Sequence, residues 1–123
     1  MTTVEQWVEG YQRAAKSDDP NDIAALFTEN AAYHTGPFDE PWQGRDDIVR
    51  RWIDRGDSGL EWEFRYEILA TDGNRTLLEA WTNYTSPHYS HSYNNVWLIE
   101  LEATGRASLF KEWWLEDPAT RSD

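Results

Sequence analysis

One carboxylate lies between two aromatic residues on the same face of a predicted strand. Segment 108–115 alternates with a period of two, which places Phe110, Glu112 and Trp114 on one face. A charge among aromatic side chains loses hydration, and this costs free energy unless a partner compensates it. Glu112 is therefore either held by a partner or used in chemistry.

Composition narrows the classes of function. The chain has 123 residues and a formal net charge of -12, which disfavours nucleic acid and anionic membranes as partners. It has no Cys, no apolar run of membrane-spanning length and no signal-peptide pattern, so we expect a soluble cytoplasmic protein. The length fits one domain, expected over residues 1–118 and followed by a tail over 119–123.

Helical periodicity dominates the first part of the chain. Apolar residues at helical spacing predict two helices separated by Asp18-Asp19-Pro20. A short strand is expected over 31–35, and a third helix is expected to begin near Arg45 or Asp46 and to end in the stretch 56–59. Two packed helices at the start and a third before the strands are therefore predicted.

Strand periodicity follows from Trp62 onward. Aromatic and charged residues alternate there, and Asp72-Gly73 is a turn signal. Further strands are predicted over 77–85 and 94–101, with a linker over 86–91 and a closing hairpin at Gly105-Arg106. Helices followed by an antiparallel meander predict an α+β fold with the helices on one side of a curved sheet.

Three segments resemble a known family. They are Leu26–His34, the helix start Gly44–Ile48, and Gly105-Arg106 followed by Glu112-Trp113-Trp114. Their order and spacing over nearly the whole chain are similar to the SnoaL-like branch of the NTF2-like superfamily. The resemblance implies a cone: a curved antiparallel sheet wrapped around helices, with an apolar pocket in its mouth and a homodimer through the sheet.

The family hosts several activities, so the resemblance does not by itself give a reaction. Its members include ketosteroid isomerases, polyketide cyclases, epoxide hydrolases, dehydratases and non-catalytic binders. Against the isomerase pattern, Tyr11 matches the oxyanion-hole tyrosine, whereas Thr35 and Trp97 occupy the positions of the two acids. Because neither Thr nor Trp shuttles a proton near neutral pH, isomerisation by that mechanism is not expected.

The same matching places two carboxylates on the pocket side of the sheet. Glu79 and Glu112 are expected to converge there with Asn95. Two carboxylates in an apolar pocket repel each other, so one keeps a proton while the other ionises, and such a pair suits epoxide opening. For an epoxide hydrolase, the resemblance to the family implies an Asp-Arg-Asp arrangement in the pocket. This sequence departs from it, because no Arg is expected on the pocket strands. The alternative is a bonded polar network without turnover.

Histidines give weaker signals. His34 lies close to where the superfamily often carries a catalytic acid or base, although alternation from Thr35 points it away from the pocket. His88 and His91 form an H-x-x-H in a predicted loop, where nothing fixes their spacing, so we expect no metal site. The catalytic candidates are therefore Glu79, Glu112, His34, Asn95 and Tyr11.

The high number of aromatic residues predicts that some of them form the walls of the pocket. Eight Trp, six Tyr and four Phe exceed what a small core needs. The candidate ligand-binding residues are Trp7, Tyr33, Trp42, Trp52, Trp81, Tyr93, Trp97, Phe110 and Trp114. Two classes of function stay open: an acid-base enzyme without metal or organic cofactor that acts on a small apolar molecule, and a non-catalytic ligand-binding module or partner subunit.

Overall fold

A computed structural model describes residues 3–55, 61–87 and 89–120 of the chain. Three helices and six strands make up this part. In chain order they are α1 Val4–Ser17, α2 Pro20–Ala24, β1 Phe27–His34, β2 Trp42–Gln43, α3 Arg45–Arg55, β3 Trp62–Asp72, β4 Arg75–Ser86, β5 Tyr89–Leu101 and β6 Ala107–Glu116. A short 3-10 helix, Pro118–Thr120, follows β6.

Local sequence signals explain where the helices begin. The side chain of Thr3 accepts a hydrogen bond from the backbone N–H of Gln6, and the Gln6 side chain accepts one from Thr3, which is a capping box. At α2, Asp19 caps the first turn and Pro20 occupies its start, where no hydrogen bond from its nitrogen is needed. No helix in the described part of the chain is long and apolar enough to cross a membrane.

The six strands form one sheet in the order β2-β1-β6-β5-β4-β3. Strands β3 to β6 pair antiparallel in sequence order, and β1 closes on β6 in parallel. The sheet is curved but not closed, and the helices lie on one side of it. The predicted α+β cone is confirmed. We call the face toward the helices the inner face, and it carries Leu78, Trp97 and Phe110, all of which are buried.

Two strands begin well before the residues that the sequence pattern predicts. Strand β1 begins at Phe27 rather than at 31, and β5 begins at Tyr89 rather than at 94. The expected linker over 86–91 is wrong because β5 pairs with β4 as far as Ser86 and Tyr89, so both backbones are hydrogen-bonded there. The predicted helix stop over 56–59 lies outside the described residues, as does His88.

Aromatic side chains dominate the core between α1, α3 and the inner face. The ring of Phe110 lies 4.6 Å from that of Tyr33, 5.0 Å from Trp97 and 5.8 Å from Trp7. The indole N–H of Trp7 donates to the carbonyl of Leu26 at 2.9 Å, so its polar atom is satisfied inside the core. These contacts hold α1 against the sheet and fix the floor of the cavity above them.

Candidate functional site

A cavity of about 480 Å³ lies between the inner face, α1, the end of α3 and the loop before β2. The residues that α1, α3, this loop and β2 contribute to its lining are Tyr11, Ala15, Arg55, Thr35, Asp39 and Trp42. The strands contribute Trp62, Phe64, Thr82, Tyr84, Tyr89, Tyr93, Asn95, Trp97, Glu112 and Trp114. Most of this lining is aromatic, which is typical of a site for a small apolar ligand.

Glu112 lies in the wall of the cavity with two N–H donors on one of its oxygens. The indole Nε1 of Trp97 donates to Glu112 Oε2 at 2.8 Å, and the side-chain Nδ2 of Asn95 donates to the same atom at 3.2 Å. The pairing of β5 with β6 sets Trp97 opposite Glu112, so both side chains point to the same face. The carboxylate is thereby held in one orientation.

Asn95 is itself fixed by a third strand. The hydroxyl of Thr82 donates to Asn95 Oδ1 at 3.1 Å, which leaves the amide N–H₂ group directed at Glu112. Asn95 is buried, and each of these bonds satisfies a polar atom that water does not reach. Strands β4, β5 and β6 therefore each contribute one member to a polar chain inside an aromatic cavity.

A pair of tyrosine hydroxyls lies beside this carboxylate. The Tyr11 and Tyr33 oxygens are 3.1 Å apart in the buried interior. Burial raises the pKa of Tyr11 well above its usual value, and its neighbours Tyr33 and Glu112 raise it further. Burial likewise raises the pKa of Tyr33, while the nearby Arg55 guanidinium opposes that increase. Both phenols therefore keep their protons at neutral pH and can donate hydrogen bonds.

Arg55 brings a positive charge to the cavity from the last residue of α3. Its guanidinium carbon lies 5.5 Å from the centre of the Trp42 ring and 5.6 Å from that of Trp52, which are cation-π distances. The sequence predicts no Arg on the pocket strands, and Arg55 reaches the cavity from a helix instead. A helix end gives no alternation signal, so only the tertiary arrangement reveals it.

The structure places the predicted site residues in three groups. Seven of them line the cavity: Tyr11, Trp42, Tyr93, Asn95, Trp97, Glu112 and Trp114. Four are buried in the core beneath the cavity and are not part of its lining: Trp7, Tyr33, Trp52 and Phe110. Glu79, Trp81 and His34 are not part of the lining either.

The expectation that Glu79 and Trp81 face the cavity is wrong. In β4, Ala80 is paired with Asn95, so Ala80 shares the inner face and its neighbours Glu79 and Trp81 point to the opposite, outer face. There, Glu79 accepts a hydrogen bond from the Asn94 side chain at 2.9 Å. Leu77-Leu78 at the start of the strand is apolar at both positions, so the sequence does not fix the phase of the alternation.

His34 also lies on the side away from the cavity. Its neighbour Tyr33 is buried in the core, and alternation along β1 turns His34 the other way, beside Lys111 in the paired strand. Partial burial lowers the pKa of His34, and the positive charge of Lys111 lowers it further. The expected convergence of His34 with Glu112 is therefore not seen.

Several lining residues are missing from the sequence-based candidates. Trp62 and Phe64 of β3, and Tyr84 and Tyr89 around the β4–β5 turn, all line the cavity. The Tyr84 ring contacts those of Tyr89 and Tyr93 edge to face, with ring centres 5.2 Å and 5.8 Å apart, and the Tyr89 and Tyr93 hydroxyls are hydrogen-bonded at 2.6 Å. Extending the alternation of β5 back to Tyr89 is the signal that finds this residue, whereas Trp62, Phe64 and Tyr84 lie on β3 and β4.

No metal centre is present among residues 3–55, 61–87 and 89–120, where no group of three or more His, Asp or Glu side chains has an arrangement that fits an ion. His91 pairs instead with Glu116 across β5 and β6.

Comparison with known proteins gives a consistent match to one family and one fold. The family model described as a SnoaL-like domain matches residues 4–114. A solved structure of the epoxide hydrolase/cyclase-like enzyme SalBIII, described for pyran ring formation in polyether salinomycin, is 19% identical and has a TM-score of 0.72, with 94% of this chain and 92% of that chain covered.

A second solved structure, an LEH-like epoxide hydrolase of M. tuberculosis, is 15% identical and has a TM-score of 0.66, with 94% and 83% covered. No curated protein matches the chain significantly. At these identities the two structures are similar to this chain in fold alone.

Proposed function

This chain belongs to the SnoaL-like domain family, and from that premise we propose that its cavity binds a small, largely apolar molecule on which Glu112 acts as a general base. The proposed chemistry is acid-base catalysis by the side chains of the protein, of the kind that opens or closes an oxygen ring. The observation that carries the proposal is a carboxylate fixed by two N–H donors inside an aromatic cavity.

The size and lining of the cavity support binding of a small molecule. Its volume of about 480 Å³ lies within the range of about 300–1,000 Å³ that is usual for ligand sites. Aromatic walls supply apolar contact area, and among the polar lining groups Glu112 and Asn95 are bonded to each other and can orient one end of a ligand. Asp39 and Arg55 line the cavity as well. A ligand with one oxygen group on an apolar body fits this distribution.

The position of Glu112 supports a proton-accepting role. The N–H groups of Trp97 and Asn95 bind only to acceptor lone pairs, so they stabilise the negative charge of the carboxylate. Such a base takes a proton from water or from a hydroxyl group of the substrate as the new C–O bond forms. Its attachment to a central strand keeps it in place during this step.

Tyr11, which lines the cavity, is the proposed donor for the oxygen that gains charge. Because its pKa is raised, it stays a neutral phenol and can donate a hydrogen bond to a developing alkoxide. Asp39, the other cavity-lining carboxylate among the described residues, lies in the loop before β2 and accepts a hydrogen bond from Thr35 at 3.1 Å. It takes the place expected for Glu79 as the second carboxylate of the cavity, while the opened oxygen receives its proton from the Tyr11 hydroxyl or from water.

Ring-opening activity is the experiment that tests the proposed reaction. The protein is incubated with styrene oxide and with cyclohexene oxide, and diol formation is followed by chromatography against a protein-free blank. Diol production above the blank at neutral pH supports general-base activation of water. If the protein binds a small apolar molecule but converts neither epoxides nor hydroxy-epoxides that can cyclise, the catalytic part of the proposal is contradicted.

Non-catalytic ligand binding is the second candidate function. One observation favours it: Glu112 Oε2 already accepts two hydrogen bonds, as expected for a structural member of a polar network. Under this alternative the same cavity binds the same class of molecule without changing it. Binding with no turnover distinguishes this candidate from the enzyme.

Binding of 2-naphthol is expected to change the tryptophan fluorescence of the protein, because Trp42, Trp97 and Trp114 line the cavity. Naphthalene lacks the hydroxyl that Glu112 or Tyr11 would bond, so we expect it to bind about threefold to tenfold more weakly, as the loss of one hydrogen bond implies. Fluorescence titration measures both affinities.

A blocking variant makes this binding test specific. Ala15→Phe adds a ring to α1 at a position that lines the cavity and is expected to abolish the fluorescence change. Glu79→Gln, on the outer face, is expected to bind like the parent. Equal binding by Ala15→Phe and the parent would place the probe elsewhere and contradict the proposed site.

A homodimer through the outer face of the sheet is a further part of the proposal. Leu77, Trp113 and Leu115 on β4 and β6 are exposed large apolar residues, and Leu115 is 72% exposed. Sedimentation at micromolar concentration is expected to give twice the 14.4 kDa mass of one chain, and Leu115→Glu is expected to shift the protein to the monomer. A monomeric parent would contradict this part.

A further inference from the structure

Phe38 is the most exposed large apolar side chain in the described part of the chain, at 97% exposure. It lies in the loop over residues 35–41 between β1 and β2. A fully exposed phenyl ring forgoes the stabilisation that burial would give. Its position beside the cavity indicates that a bound ligand is what it contacts.

The residues on both sides of Phe38 belong to the wall of the cavity. Thr35 and Asp39 line the cavity, and Trp42, the first residue of β2 after this loop, lines it as well. Consecutive Cα atoms are about 3.8 Å apart, so the backbone of Phe38 lies directly next to that of a lining residue. The ring is therefore attached to the rim of the cavity although it does not enter it.

The loop holds itself together by short-range bonds. The Thr35 hydroxyl donates to Asp39 Oδ2 at 3.1 Å, and the backbone N–H of Asp39 approaches the carbonyl of Gly36 at 3.4 Å. These bonds leave the phenyl ring outside the core. A small shift of the loop as a unit would then carry the ring over the mouth without breaking the polar contacts of the cavity floor.

We propose that Phe38 is a ligand-contacting residue that closes over the mouth of the cavity when an apolar molecule is bound. The inference rests on the proposed function, because it needs a ligand in the cavity. A ligand in the cavity offers the ring an apolar surface next to Thr35 and Asp39, where the loop lines the cavity. Insertion into an anionic membrane is disfavoured because Asp39 and Glu40 follow Phe38 directly and the chain carries a formal charge of -12.

Titration with 2-naphthol, followed by tryptophan fluorescence, tests the inference on the full chain. Phe38→Ala is expected to raise the dissociation constant about tenfold or more, since the ring loses its burial against the ligand. Phe38→Leu, which keeps an apolar side chain, is expected to restore part of the affinity. Leu69→Ala is the matched control, since Leu69 is exposed and lies outside the cavity lining.

The outcomes separate this inference from the proposed function. If the parent binds 2-naphthol and Phe38→Ala binds it with equal affinity, the inference is overturned while the proposed function stands. If the parent binds neither 2-naphthol nor naphthalene, both are overturned. If Phe38→Ala changes the sedimentation of the ligand-free protein while Leu69→Ala does not, the ring contacts another chain, and the inference is again overturned.

Discussion

Glu112→Gln is expected to lower the rate of epoxide opening by about 10²- to 10⁴-fold, the usual contribution of a positioned general base. The amide cannot take a proton from water, but its oxygen can still accept the hydrogen bonds that Trp97 and Asn95 give to Glu112. The polar chain of the cavity is therefore preserved while the base is removed. Diol formation from styrene oxide, measured at saturating substrate, reports the loss.

A matched control is available on the other side of the same sheet. Glu79→Gln changes a half-buried glutamate that also accepts an amide hydrogen bond, from Asn94, but that lies outside the cavity lining. It is expected to keep parental activity. Thermal unfolding of both variants near that of the parent would exclude loss of structure. Equal activity of Glu112→Gln and the parent would remove Glu112 from the mechanism and leave Asp39 as the carboxylate to test.

Phe110→Ala is expected to lower the free energy of unfolding by about 3–5 kcal/mol, the range for truncating a buried Phe. Phe110 is fully buried, and its ring centre lies 4.6 Å from that of Tyr33, 5.0 Å from Trp97 and 5.6 Å from Tyr11. Its removal leaves a cavity between rings that cannot all move inward, because Tyr11 and Tyr33 are also joined through their hydroxyls. Urea denaturation monitored by circular dichroism gives the difference.

The size of this effect matters because small domains have only about 5–15 kcal/mol of stability. Leu69→Ala, at a position 54% exposed, is expected to change the free energy of unfolding by less than about 0.5 kcal/mol. If Phe110→Ala were as mild as this control, the ring would have to belong to the ligand-binding wall that the sequence predicts rather than to the rigid core.

The sequence by itself determined the fold and identified seven of the residues that line the cavity. Caps at Thr3 and Asp19 and the change from helical to strand periodicity are local signals, and each is readable without tertiary contacts. Glu112 was recognised because its aromatic neighbours fix the phase of the alternation in β6. The segments that resemble the family implied a curved sheet wrapped around helices, whereas the strand order and the parallel pairing of β1 with β6 come from the structure.

Tertiary structure decided which side chains meet. The phase of β4 is ambiguous at Leu77-Leu78, and only pairing with β5 turns Thr82 inward and Glu79 outward. Arg55 and Asp39 reach the cavity from a helix end and a loop, where no periodicity applies. A local pattern records which face a strand residue shares with its neighbours, whereas the contents of a cavity depend on how distant segments are placed around it. The physical reason is that the curvature of the sheet and the packing of helices on it are set by many long-range contacts together.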